Sequence, residues 1–161
     1  MNVHFIDTSV LVNILDIPNR NSHREVVLKE YEGLKNSQTD TLLLPLATII
    51  ETGNHIAHIR DGNIRRSKGK AMAQMLKDMA NGVAPWDYYE GEITRDDLLY
   101  FSKNFPDMAM KGTGIGDLSI VSAYNKYKES VPAIGFIRIW SLDGHLAAYE
   151  EKMTTKRRRK R

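Results

Sequence analysis

Short apolar runs punctuate the chain, and between them apolar residues return every three or four positions. Val3-His4-Phe5-Ile6 ends at Asp7, Leu42-Leu43-Leu44 is stopped by Pro45, and Ala133 to Trp140 gives way to Ser141-Leu142-Asp143. Runs this short and this apolar fit strands buried on both faces, and Trp86 to Tyr89 fits a further short one. The segments between them carry helical periodicity. Thr8 and Ser9 can cap a helix through Leu15 that Pro18-Asn19 breaks. Val26, Val27, Leu28, Tyr31 and Leu34 give an apolar face to a helix from Ser22 to Leu34. Further helices are expected from Ala47 to Arg60, Ile64 to Ala80, Thr94 through Phe105, Asp117 to Tyr127, and after Asp143. Met72, Met75, Leu76 and Met79 recur at helical spacing and read as packing between helices, since methionine fills irregular gaps.

Strands alternating with helices, with no repeat and no linker, predict a single three-layer α/β/α domain with a central parallel sheet of four to five strands. Residues 1–151 are assigned to that domain and 152–161 to a basic, disordered tail. The length of 161 residues suits one continuous core.

Charge changes this picture only at the end of the sequence. Lys and Arg number 23 against 20 acids, yet Lys156, Arg157, Arg158, Arg159, Lys160 and Arg161 are consecutive. Without those six, 17 basic residues face 20 acids, a net charge of −3. Adjacent like charges cannot pack, so the basic end reads either as a solubilising extension or as an arm on nucleic-acid phosphates. No apolar run approaches the roughly 18–20 residues that cross a bilayer, and the start lacks the pattern of a secretion signal. The absence of cysteine excludes disulfides and thiolate metal sites and fits a reducing compartment, so a cytoplasmic location is expected.

The candidate chemistry lies in acids at equivalent topological points. Asp7 ends the first strand, Asp143 follows the last, Glu51 sits near the start of the helix after the second, and Asp117 opens the helix after a glycine-rich loop. In open α/β sheets the carboxyl ends of the strands share one edge, where ligands bind. Carboxylates meeting there repel one another and raise each other's pKa, which a hard divalent cation offsets. Oxygen ligands suit Mg²⁺ or Mn²⁺. The same repulsion implies that neutralising Asp7 should not destabilise the metal-free protein. Each acid alone also has a structural reading, as a cap or as a charge on a helix dipole.

Four segments carry a family resemblance. Val3-His4-Phe5-Ile6-Asp7-Thr8-Ser9-Val10-Leu11-Val12-Asn13 resembles the opening strand and first acid of PIN domains, and Thr48-Ile49-Ile50-Glu51 resembles their second motif. Gly116-Asp117-Leu118-Ser119-Ile120-Val121-Ser122-Ala123 is similar to the third, and Ile139-Trp140-Ser141-Leu142-Asp143 to the fourth. The resemblance spans residues 3 to about 149 and implies a PIN-like fold. It implies a Mg²⁺- or Mn²⁺-dependent endoribonuclease with Asp7, Glu51, Asp117 and Asp143 as metal-binding, catalytic acids, supported by Thr8, Ser9 and Ser141. Many such proteins are the VapC-like toxins of toxin–antitoxin pairs, which implies RNA as substrate, a small antitoxin as partner and a homodimer. An RNA-processing or phage-defence nuclease, and a PIN-like module that binds RNA or protein without cleaving, remain alternatives.

Other signals are secondary. Asn54, His55 and His58 follow Glu51 on one helix face, where Asn54 could support the pocket and His55 reads as packing or as a neighbour of it. Arg60, Arg65, Arg66, Lys68 and Lys70 read either as a solvated helix face or, with Arg157, Arg158 and Arg159, as an RNA-contacting surface. Gly112-Thr113-Gly114-Ile115-Gly116 lacks the spacing of a nucleotide loop and reads as backbone allowing close approach near Asp117. Ser9 stands where a haloacid-dehalogenase phosphohydrolase would need a second Asp, and the adjacent acids of a signalling receiver domain are missing.

Overall fold

The computed structural model describes residues 1–83, 85–91 and 93–153, so the calls on Arg157, Arg158, Arg159 and the rest of the basic end lie outside the described residues. Among the described residues five strands form one sheet: β1 (Asn2–Ile6), β2 (Asp40–Leu44), β3 (Trp86–Tyr88), β4 (Phe136–Trp140) and β5 (Glu150–Lys152), in the order β3-β2-β1-β4-β5. The first four are parallel, and β5 runs antiparallel along β4. Seven helices accompany them among the described residues: α1 (Thr8–Ile14), α2 (Arg24–Lys35), α3 (Leu46–Ala57), α4 (Gly62–Ala80), α5 (Arg95–Met110), α6 (Ile115–Ser130) and α7 (Gly144–Ala147).

Alternation along the strands divides the core into two layers. Val3 and Phe5 of β1, Leu43 of β2, and Ile137 and Ile139 of β4 pack with Ile120, Val121 and Tyr124 of α6. Ile6, Leu42 and Leu44 point the other way, into a cluster with Val10 and Leu11 of α1, Val27 of α2, Ile56 of α3 and Met72, Met75 and Met79 of α4. The methionines are thus core residues, as their spacing indicates. Phe5 lies edge-on to Tyr89, Tyr124 and Tyr127, and Tyr31 of α2 stacks on Trp86 with ring centres 5.3 Å apart.

His4 is the polar exception inside the sheet. Its Nδ1 accepts from Arg138 Nε at 2.8 Å and its Nε2 meets Asp40 Oδ1 at 2.8 Å. Burial pushes the imidazole below its ordinary pKa, the Asp40 hydrogen bond pulls upward and the Arg138 charge downward. The neutral ring with Nε2–H donating to Asp40 satisfies both contacts, so this pair is a hydrogen bond at neutral pH and not an ion pair. Arg138 in turn pairs with Glu30 of α2.

Three expected elements differ. Asp7, not Thr8 or Ser9, is the N-cap of α1, because its carboxylate accepts from Ser9 N–H while the two hydroxyls are engaged elsewhere. The helix after Pro45 ends at Ala57, where His58 Nδ1 donates to the Asn54 carbonyl at 2.7 Å. The helix after Asp143 is a single turn, and the chain then turns extended as β5, its Glu151 opposite Ile137.

Helices α5 and α6 are tied through a buried acid. Asp97 Oδ2 accepts from Thr94 N–H at 2.7 Å, Asp97 Oδ1 accepts from Ser122 Oγ at 2.8 Å, and Lys126 pairs with the carboxylate. Burial alone would raise its pKa, but the Lys126, Thr94 and Ser122 hydrogen bonds outweigh it and hold Asp97 well below the ordinary aspartate range. No helix among the described residues is long and apolar enough to cross a membrane.

Candidate active site

The strand order reverses at β1. The chain moves outward from β1 through β2 to β3, then returns to the other side of β1 as β4. Such a switch point opens a crevice at the carboxyl ends of the two strands. Ile6 pairs with Trp140 in register, and Asp7 N–H donates to the Trp140 carbonyl at 3.0 Å. The segments after both strands therefore start side by side, which brings Asp7 next to Ser141 although they are 134 positions apart.

Asp7 is buried, and hydroxyls fix its carboxylate. Its Oδ2 accepts from Ser9 Oγ at 2.6 Å, Ser141 Oγ at 2.8 Å and Ser9 N–H at 3.2 Å. The serines are braced in turn: Leu142 N–H donates to Ser9 Oγ and Asp143 N–H to Ser141 Oγ, each at 2.9 Å. Asp143 is exposed and uses Oδ1 to accept from His145 N–H at 2.8 Å, capping α7. The expectation that Asp7 could be neutralised at no cost misses this network. An amide oxygen accepts these three bonds less strongly than a carboxylate.

Glu51 arrives from α3. Thr48, one turn earlier and fully buried, donates from Oγ1 to the Ile6 carbonyl at 2.7 Å, pinning the helix to the end of β1. Thr8 then donates from Oγ1 to Glu51 Oε2 at 2.8 Å, joining α1 to α3. Asp117 lies in the first turn of α6 and accepts from Gly114 N–H through Oδ2 at 3.2 Å. One residue before it, Gly116 faces Glu51 so closely that a Cβ there would stand 2.5 Å from Glu51 Oε1. The glycine-rich segment thus permits close approach of α6 to α3.

Electrostatics link the four acids. Burial raises the Asp117 carboxyl above its ordinary pKa, the Gly114 N–H opposes this, and the charges of Asp7, Glu51 and Asp143 push it further up. Among the described residues none of these four acids is in an ion pair, whereas Asp16, Asp97 and Glu151 each hold a lysine. Among the described residues the four acids therefore have no cation paired with them. Among the described residues, no three His, Asp or Glu side chains are arranged to hold a metal ion as they stand. Hard oxygen donors with no balancing cation nevertheless match what a divalent cation requires.

The remaining sequence-selected residues lie elsewhere. Asn54 is on the exposed side of α3 and makes no side-chain hydrogen bond among the described residues. Arg65 Nη1 donates to the Ile59 carbonyl at 3.2 Å and Lys68 is held by Asp16 at 3.2 Å, while Arg60, Arg66 and Lys70 are exposed. The basic stretch is thus exposed except at Lys68, with Arg65 and Lys68 already holding partners. Sequence reasoning missed a groove of about 790 Å³ beside Glu51, in which Leu46, Ile50, Tyr88, Ile93 and Ile115 are exposed. Its one sequence signal is the apolar positions on the outward side of helix starts.

Comparison with known proteins adds little. No family model matches the chain, and no curated protein matches it. Among solved structures, VapBC2 from Rickettsia felis bound to a DNA fragment from their promoter aligns over 86% of this chain and 99% of that chain, at 15% identity and a TM-score of 0.46.

Proposed function

We propose that this protein is a Mg²⁺- or Mn²⁺-dependent endoribonuclease acting through Asp7, Glu51, Asp117 and Asp143. The observation that carries the reading is the placing of these acids at the carboxyl ends of β1 and β4 and the facing starts of α3 and α6, with none of them in an ion pair among the described residues; burial, and then the charges of Asp7, Glu51 and Asp143, push the Asp117 carboxyl up. A divalent ion, when bound there, polarises a phosphoryl oxygen and lowers the pKa of water from 15.7 towards about 7. The chain's own contribution is orientation: Ser9 and Ser141 hold Asp7, Thr8 holds Glu51, and the Gly114 N–H holds Asp117. Asn54 is not retained among the supporting groups in this reading.

A toxin role, silenced by a small antitoxin, is the form we favour. Leu46, Ile50, Ile93 and Ile115 line the groove beside Glu51 together with the acid Glu90 and, among the described residues, no basic one, which suits a partner offering apolar side chains and a cation. A second copy of the chain is the competing occupant, and sedimentation of the protein alone separates the two. Among the described residues no three acids stand arranged around a metal ion, which favours a second reading, binding without cleavage.

The test is incubation of RNA with the full chain and Mg²⁺ or Mn²⁺, beside Asp7→Asn and Asp117→Asn. Cleavage by wild type and its loss in both variants is the expected result, with Mg²⁺ also raising the wild-type melting temperature. Equal cleavage by all three proteins would overturn the assignment. RNA binding without cleavage would transfer it to the second reading.

A further inference from the structure

A second concavity, of about 610 Å³, lies at the other end of α3 from the groove. Its walls are the α1–α2 loop, through Asn19 and Arg20, and the segment after α3, through His58 and Arg60, with His55 between them. Buried Ile17 and Ile59 form an apolar base.

Its cations are unspent. Among the described residues neither the Arg20 nor the Arg60 side chain makes a hydrogen bond or an ion pair, while neighbouring Arg24 and Lys68 are both held by Asp16. The acid in the wall, Asp61, is turned to α4, where its Oδ1 accepts from Asn63 N–H and Ile64 N–H at 2.8 Å each. Burial and the charge of Arg20 lower the His55 pKa, Glu51 acts in the other direction, and His58 lowers it further. The fixed charges of the lining are the two arginines against the single Asp61 carboxylate. The loop that presents Arg20 is tethered: Ile17 N–H donates to the Val12 carbonyl at 2.9 Å, and Asn21 Nδ2 donates to Asp16 Oδ1 at 2.7 Å. Asp16 and Asn19 hold it there at positive φ.

We infer that this concavity binds the phosphodiester backbone of single-stranded RNA, with Arg20 and Arg60 gripping phosphates next to the bond presented to the acids. The inference rests on the ribonuclease reading and names the part of the protein that holds that substrate. A pocket of four carboxylates repels a polyanion, so attraction must come from cations nearby. From Glu51 to His58 is seven residues of helix, about 10 Å, which puts the concavity within reach of a neighbouring phosphate. Guanidinium groups present a planar fork that matches phosphate oxygens.

The test measures binding of a short labelled single-stranded RNA to the full chain in EDTA, where cleavage plays no part. The double variant Arg20→Ala/Arg60→Ala should bind about tenfold more weakly at low salt and flatten the slope of log K against log salt by about 1.4, the share of two phosphate contacts. Arg20→Lys/Arg60→Lys should keep the slope, and Lys103→Ala on exposed α5 should change neither quantity. An unchanged slope in the alanine variant, or an equal loss in Lys103→Ala, overturns the site. Displacement of the RNA by inorganic phosphate at matched ionic strength would reassign it to free phosphate. Because cleavage is assayed separately, inert RNA with an intact arginine-dependent slope overturns the ribonuclease reading and leaves this site standing.

Discussion

Alanine at Gly116 should separate the placement of Glu51 from the stability of the fold. The added Cβ would stand 2.5 Å from Glu51 Oε1, against about 3.3–3.6 Å for an ordinary carbon–oxygen contact. The carboxylate is the far end of a flexible side chain, so it retreats by about 1 Å and the helices stay in place. That retreat stretches the 2.8 Å bond from Thr8 Oγ1, a loss of about 1–2 kcal/mol. Alanine for glycine returns up to about 1 kcal/mol of helix propensity, and less in a first turn. The two effects offset to within about 1 kcal/mol, or about 2–4 °C in melting temperature for a chain of this size. Activity has no such compensation. A displacement of about 1 Å at a reacting centre can cost about a hundredfold. Thermal melting and RNA cleavage on the same preparation of Gly116→Ala should therefore show a near-native melting temperature and a kcat/KM lower by about two orders of magnitude. Cleavage within threefold of wild type would refute the role given to Glu51. A fall in melting temperature of more than about 8 °C would mean that Gly116 serves the fold, not the acid.

Two further outcomes follow from titration. The folded-state pKa of Asp117 is raised above 3.8, so its ionisation costs stability as pH rises through that folded value. In metal-free buffer, Asp117→Asn should melt above wild type at neutral pH, and the gap should close on acidification below about pH 3.8; a variant less stable at neutral pH contradicts the charge-repulsion argument. His4 behaves oppositely. Its folded-state pKa is below the ordinary 6.5, so the stability it contributes is present above 6.5 and lost as pH falls through the folded value. Urea unfolding at about pH 7.5 and 5 should show that loss in wild type and a smaller one in His4→Gln, whose amide can replace both hydrogen bonds. Equal losses would place the acid sensitivity elsewhere.

Much of the fold was legible because burial on both faces leaves a plain trace. The run at Leu42–Leu44 is apolar throughout and the one at Val3–Ile6 is apolar but for His4, and each is the strand it predicts. β5 left no such trace. Its residues Glu150, Glu151 and Lys152 are exposed, and they are a strand only because β4 offers an unpaired edge. The candidate site was legible as acids at strand ends but not as a geometry. Nothing in the sequence near Glu51 announces that Thr8 will hold it, or that Ser9 and Ser141 will share Asp7. The basic stretch was half legible for the same reason: Lys68 looks free along its helix and is taken by Asp16, 52 positions away. Arg20 carries no local pattern, and its meaning comes from Arg60 facing it across a loop.

The register that sets Asp7 against Ser141 also fixes when the crevice can exist. A ribosome extends a chain by about 5–20 residues per second, and contacts between distant segments form late. With 134 positions between these partners, the nascent polypeptide carries Asp7 through the synthesis of all of them before the segment that completes the crevice exists. A function that depends on that crevice is withheld until β4 and Ser141 have been made.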